Sequence, residues 1–207
     1  MDGGRVNQKR RTRNAIVVAA TELVRGGHPV TMPEVAKAAE VSEATAYRYF
    51  PDLASLLREA VAGTLFDPAE ALAPLAGSAD PVARVAAATE HLLRHVLTHQ
   101  SAVRAMIAAT ITRPADTAGR PGLRFGLINE ALAPPADLGD LDASGLAQLK
   151  RDLAVVMSAE ALFGLTDLHR LPPEEAVRSV IHTAVTLTKA ALGEKATTGE
   201  GRSGDPR

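Results

Sequence analysis

The chain has 207 residues, enough for one large or two small domains with a real core. Hydrophobic residues make up 46% but aromatic ones only 3%, with no Trp; the apolar mass is therefore Ala, Leu, Val and Ile, which favours helices over β-sandwiches. Cysteine is absent and the net charge is −1, which excludes disulfide scaffolds, thiolate catalysis, zinc fingers, iron–sulfur sites and a globally basic nucleic-acid coat, while leaving room for a local basic patch.

Residues 1–13 are polar and basic, with no apolar region of the kind a secretory signal needs. The longest stretch free of Asp, Glu, Lys and Arg, Ser179 to Thr188, is far shorter than the ~20 residues of a membrane span. A soluble, cytoplasmic protein that does not engage membranes is expected. The basic head, Arg5, Lys9, Arg10, Arg11 and Arg13, runs into Ile16, Ala20, Leu23 and Val24, whose spacing of three and four marks a first helix closed near Arg25 by Gly26-Gly27. Thr31-Met32-Pro33-Glu34 has the S/T-x-x-E form of a capping box and opens a second helix, about Met32 to Glu40. Ser42 is an N-cap for a third, Glu43 to about Tyr49, which Pro51 stops. Asp52 caps a fourth, through Leu53, Leu56, Leu57 and Ala60 to roughly Leu65.

Past Asp67-Pro68 the texture changes to longer amphipathic segments broken by Pro and Gly, read as a second helical domain. Helices are expected at about Pro81–His99, Ala102–Thr112, Leu123–Ala133, Ser144–Leu165 and Pro173–Leu192, with a loop over Arg113–Gly122. From Gly193 onward there is no apolar periodicity, and the stretch to Arg207 reads as a disordered tail. The division is thus 1–62, 63–192 and 193–207, in an all-α chain.

The two short helices between Met32 and Tyr49, joined by a tight turn at Glu40 to Ser42, have helix-turn-helix spacing. Such a unit presents the outer face of its second helix to the DNA major groove. Tyr47-Arg48-Tyr49 holds the only two tyrosines of the chain. At ~100° per residue they point ~200° apart, so one of them must face outward. In this register the run Arg11 to Leu57 resembles the DNA-binding domain of the TetR family of bacterial transcriptional regulators, above all Val41-Ser42-x-x-Thr45-x-Tyr47-x-Tyr49-Phe50, then Pro51-Asp52 and Leu56-Leu57. Ala159 to Asp167 and Pro173 to Leu192 are similar to the last two helices of a subgroup of these regulators.

The resemblance implies that Glu43 and Ala44 lie at base edges, that Thr45, Tyr47 and Tyr49 contact phosphates or flanking bases, and that Arg48 occupies the exposed face; Thr31 and Ser42 stand at the capped helix starts beside the backbone. Arg48 suits bidentate pairing with guanine, and Glu43 suits either the cytosine amino group or the helix dipole alone. Phe50 reads as core. Lys9, Arg10, Arg11 and Arg13 precede the first helix as an arm, reaching phosphates or the minor groove or remaining solvated. Two departures from the family pattern stand out. Leu53 replaces a lysine at the start of the fourth helix, and Glu40 stands where a glycine is usual, in a turn that is then strained or differently shaped.

No catalytic signature is present: there is no HExxH and no G-x-S-x-G, and the match of Gly199, Gly201 and Gly204 to a dinucleotide fingerprint lies in the tail. No enzyme activity, cofactor or metal is expected. His91, His95 and His99 recur every four residues, but the apolar face of their helix centres opposite His91 and His95, which should therefore face solvent. The resemblance implies a small-molecule effector cavity in the second domain, for which Arg104, Met106, Phe125, Met157 and Phe163 are the candidate liners, with Leu127, Arg124 and Asn129 as further candidates. It also implies a homodimer through the last two helices and a palindromic double-stranded DNA operator, bound by a repressor that the effector releases. The rival reading is a helical small-molecule-binding protein or enzyme that has lost DNA binding, supported only by Glu40 and Leu53.

Overall fold

The computed structural model describes residues 3–27, 30–62, 65–112 and 122–193. The expected loop at 113–121 and the tail from 194 lie outside these residues. Among the described residues the chain is all-helical, with eleven α-helices and no strand.

Helix α1 spans Gly3–Arg25. The expected arm is therefore part of it, and Lys9, Arg10, Arg11 and Arg13 are helical residues. The cause is local: Arg, Lys and Gln are good helix formers, and no proline interrupts the run. Ile16, Ala20 and Val24, spaced by four, are buried against α2 (Met32–Ala38), α3 (Glu43–Tyr49) and α4 (Leu53–Ala62). The capping box of α2 forms as its sequence demands: Glu34 N–H donates to Thr31 Oγ1 (3.4 Å) and Thr31 N–H donates to Glu34 Oε2 (3.0 Å). Ser42 Oγ accepts from Thr45 N–H (3.2 Å) to cap α3, and Asp52 Oδ1 accepts from Ser55 N–H (2.8 Å) at the start of α4. Helix α4 is described to Ala62, and Leu65, near its expected end, is not helical.

The turn between α2 and α3 is the strained one the sequence indicates. Val41 N–H donates to Ala36 O (2.9 Å) and Glu40 N–H to Lys37 O (3.2 Å), the Schellman pattern, with Glu40 at its left-handed position (φ 54°). A side chain there costs about 1–2 kcal/mol, of which glycine's greater unfolded-state entropy recovers less than half. Glu40→Gly is expected to stabilise the protein by roughly 1 kcal/mol and raise its melting temperature by about 2–4 °C in a calorimetric scan. A lowered melting temperature would show that the Glu40 side chain contributes more than its backbone costs.

The second half is built around α6 (Pro81–Thr98). Before it come a one-turn helix that the sequence pattern does not reveal, α5 (Pro68–Ala71), and a 3₁₀ turn (Ala73–Leu75). After it come α7 (Gln100–Thr112), α8 (Leu123–Ala131), α9 (Ala143–Val156), α10 (Ala159–Phe163), a π turn (Gly164–Leu168) and α11 (Pro173–Ala191). One side of α6 packs Val85, Ala88 and Leu92 against α8 and α9; the other packs Leu93 and Val96 against Leu162, Phe163, Val177 and Val180 of α10 and α11.

Two features depart from expectation. The single helix expected over Ser144–Leu165 is broken at Met157-Ser158. Ser158 Oγ donates to Val155 O (2.9 Å) and accepts from Ala161 N–H (3.1 Å), so its side chain takes over hydrogen bonding that an unbroken helix would make by backbone. Helix α7 belongs to both halves: Ala102 and Met106 are buried in the N-terminal core, while Val103 and Ile107 lean on the α10–α11 side. The core that begins at Ile16 thus reaches well past residue 62.

Candidate functional site

Helix α3 is seven residues long and fully buries only Ala46, while Val35, Ala36 and Phe50 close the core behind it. With Ala46 inward, the helical period turns Glu43, Ala44, Tyr47 and Arg48 outward, and all four are exposed. Tyr47 is 49% accessible; Tyr49 is half-buried against the core. The expectation that one tyrosine faces outward holds, and it is Tyr47. The Arg48 guanidinium carbon lies 5.5 Å from the Tyr49 ring centre, a cation–π contact that holds the arginine near the helix surface. Thr31 and Ser42, both exposed, are committed to their caps. Ser42 Oγ also donates to Thr45 Oγ1 (2.9 Å), and Thr31 Oγ1 donates to Glu34 Oε2 (2.9 Å).

The basic residues of α1 divide. Lys9, Arg10 and Arg11 are exposed along the helix. Arg13 is tied down: its Nη2 forms an ion pair with Glu59 Oε1 of α4 and its guanidinium carbon sits 4.9 Å over the Phe50 ring. Arg13 thus links α1 to α4 across the end of α3, instead of reaching out as part of an arm.

The five ligand liners expected from sequence are not brought together. Met106 sits in the N-terminal core. Arg104 is pinned to Asp167 of the π turn by two hydrogen bonds (2.5 and 2.8 Å) and stacks 3.8 Å over Phe163, so this pair forms a clasp between α7 and the π turn. Hydrogen bonding from Arg104 holds the Asp167 carboxyl down at about 2. Only Phe125 and Met157 share a cleft, about 130 Å³ in volume, with Leu92 and Val96 of α6, Leu123 and Arg124 of α8, and Ser158 to Glu160 at the helix break. Leu127 is core, and Asn129 is exposed. Sequence reading passed over Ser158, Ala159 and Glu160 because the apolar pattern runs through the break; the one local signal is that serine preceding Ala159-Glu160 is a good cap.

The histidine row is less exposed than its helical wheel suggests. His91 is exposed and His95 half-buried, while His99 is buried with Nδ1 at 2.9 Å from His95 O. Phe66, from the segment after α4, lies edge-on to His91 (4.4 Å between ring centres) and His95 (5.3 Å), and His95 lies 4.3 Å from His99. The wheel argument holds for His91, which is exposed, and fails for half-buried His95, because it ignores this segment packed on part of the outer face. Among the described residues, no group of three or more His, Asp or Glu side chains is placed to hold a metal ion.

Burial, then the positive forms of His99 and His91, push the His95 pKa from the ordinary 6.5 down to about 4. The unfolded chain therefore binds more protons between these values, so stability is complete above pH 6.5 and falls as pH drops toward 4. Glu90 and Arg94 also line this groove and face the imidazoles. Melting temperature is expected to decline from pH 6.5 to 5, and His95→Gln is expected to flatten that decline. An unchanged slope in the variant would assign the acid sensitivity elsewhere.

A short pair of capped helices with an exposed Tyr-Arg face, backed by a buried alanine and joined to a helical body, is the architecture of a helix-turn-helix DNA-binding protein. Residues 16–60 match the family model described as bacterial regulatory proteins, tetR family. Over the whole chain the fold is similar to the crystal structure of a TetR transcriptional regulator from Rhodococcus sp. RHA1, with 20% identity, 91% of this chain and 99% of that chain covered, and a TM-score of 0.52. No curated protein matches the sequence. Residues 16–60 thus match the tetR-family model over the helix-turn-helix region, and the chain as a whole shares its fold with the Rhodococcus protein. Among its described residues, no helix is long and apolar enough to cross a membrane.

Proposed function

We propose that the protein is a one-component, homodimeric cytoplasmic repressor whose two α3 helices enter successive major grooves of a palindromic operator and which a small molecule releases. The observation that carries this reading is the outward face of α3, where Glu43, Ala44, Tyr47 and Arg48 are exposed behind a fully buried Ala46. Glu43 and Arg48 read base edges; Thr45, Tyr47 and Tyr49, with the capped starts at Thr31 and Ser42, meet the backbone; Lys9, Arg10 and Arg11 add phosphate contacts. The DNA-binding unit is residues 1–62, and residues 63–192 hold the effector and the dimer interface. Dimerisation through α9–α10 and α11 is supported by Val155 of α9 and Leu168 of the π turn before α11, large apolar residues left 72% and 82% accessible. Met157 and Phe125 belong to the effector cleft. A ligand there reaches the DNA-binding core through α7, which is packed into both cores, and acts only if it prefers the released state.

Selection of bound sequences from a random duplex library, at two salt concentrations, tests the reading. An inverted repeat whose affinity falls with salt is expected. Recovery of DNA without a shared motif, or of none, would overturn it in favour of a helical small-molecule protein.

A further inference from the structure

We infer that the cleft at the α9–α10 break takes a small neutral, hydrocarbon-like molecule, of the size of one aromatic ring and without a charged group. The inference rests on the effector reading above and specifies its ligand. The cleft volume, about 130 Å³, is close to the ~150 Å³ that holds one benzene ring in an apolar protein cavity, so a polycyclic or long-chain molecule does not fit without rearrangement. Leu92, Val96, Leu123, Phe125, Met157 and Ala159 give the wall aliphatic, thioether and aromatic surface, which suits a compact apolar body. Phe125 is 53% accessible although it lines the cleft, whereas Leu92, Val96 and Met157 are buried. A large aromatic face left half in water beside an apolar wall is where burial remains to be gained, and a ring entering the cleft covers it.

The polar side chains of the wall are already spent, and this sets the ligand's charge. Ser158 Oγ donates to Val155 O and accepts from Ala161 N–H, bonds that hold the helix break together. Arg124 Nη1 and Glu160 Oε2 form an ion pair at 3.9 Å, and neither charge is free. The guanidinium carbon of Arg124 also lies 5.0 Å from the Phe125 ring centre. One cation and one anion leave the wall without net charge. A carboxylate or an ammonium entering the cleft would have to displace a partner of the opposite sign and lose its own hydration, two costs that oppose the burial of its apolar body. A neutral ring leaves every one of these bonds in place and gains the burial alone.

The test uses three probes of one shape, toluene, benzoate and benzylamine, titrated into the full-length protein by calorimetry at neutral pH. Toluene is expected to bind about tenfold more tightly than either charged probe. Two variants tie the binding to the cleft. Phe125→Ala is expected to weaken toluene severalfold with an unchanged melting temperature, because the ring is half exposed, and Ala159→Leu, which fills the cleft, to abolish binding. Tighter binding of benzoate or benzylamine would overturn the neutral class, and tighter binding of naphthalene would overturn the size. Toluene binding unchanged in both variants, or absent up to its solubility, would overturn the assignment to this cleft. Release of the selected operator is measured in parallel. Toluene bound in the cleft without release would uphold this inference and overturn the effector reading, whereas release by a charged or larger molecule, without toluene binding, would do the reverse.

Discussion

Replacing Arg84 by methionine is expected to destabilise the protein by about 3–5 kcal/mol and to lower its melting temperature by roughly 10 °C. Arg84 is 1% accessible, and its guanidinium is held by main-chain carbonyls: Nε donates to Ala131 O (2.9 Å), Nη1 to Leu75 O (2.8 Å) and Nη2 to Glu130 O (2.6 Å). The nearest carboxylate oxygen, Glu130 Oε1, is 4.0 Å away, so the charge is balanced chiefly by carbonyl dipoles, two of them at the C-terminal end of α8. Methionine fills most of the volume but removes three hydrogen bonds from a charged donor, each contributing about 1.5–3 kcal/mol, even though Leu75 O and Glu130 O keep the N–H groups of Ser78 (3.0 Å) and Ala133 (3.3 Å). Lysine keeps the charge and cannot span the three acceptors, so Arg84→Lys should recover only part of the loss. A methionine variant that melts within about 1 °C of the parent would show that water replaces the guanidinium without cost.

The second large effect falls on DNA. Arg48→Ala is expected to weaken binding to the selected operator by about 10- to 100-fold, with much less effect on random duplex, because a bidentate arginine–guanine pair contributes about 1–3 kcal/mol of discrimination. Arg48→Lys distinguishes reading from simple charge: it retains the phosphate attraction and loses the planar fork, so specificity should fall while the salt dependence stays near that of the parent. Tyr47→Ala gives the companion measurement. It should weaken specific and non-specific binding together while leaving the melting temperature nearly unchanged, since Tyr47 is half exposed and its removal opens no cavity. If Arg48→Ala reduces affinity for all duplexes equally, Arg48 contacts phosphate and the base reading lies with Glu43 and Ala44.

Much of the DNA-binding half was legible from residues alone because its determinants are local. Thr31 with Glu34, Ser42 and Asp52 each cap within three residues of themselves, Ile16, Ala20 and Val24 mark a buried face by their spacing, and opposite faces of α3 follow from the helical period. Glu40 in place of the usual glycine left a strained or a differently shaped turn open, and the structure has the strained one, with Glu40 at φ 54°. The basic arm was misread for a related reason: the stretch before Ile16 has no apolar face, yet α1 covers it, since helix propensity alone carries a helix outward from a nucleus already packed.

What only tertiary structure decided are the contacts between segments far apart in sequence. No periodicity in α7 reveals that Met106 belongs to the N-terminal core, or that Arg104 is spent on Asp167 sixty-three residues later and is therefore no free ligand contact. Nor does the wheel of α6 show Phe66 packing edge-on against His91 and His95. The sequence by itself determined most of the helices, their caps and the outward face of α3, because hydrogen bonds and side-chain direction within one helix depend on neighbours a few residues away. The cleft, the clasp and the buried Arg84 were decided by packing, because where two helix faces meet depends on the summed burial of the whole chain.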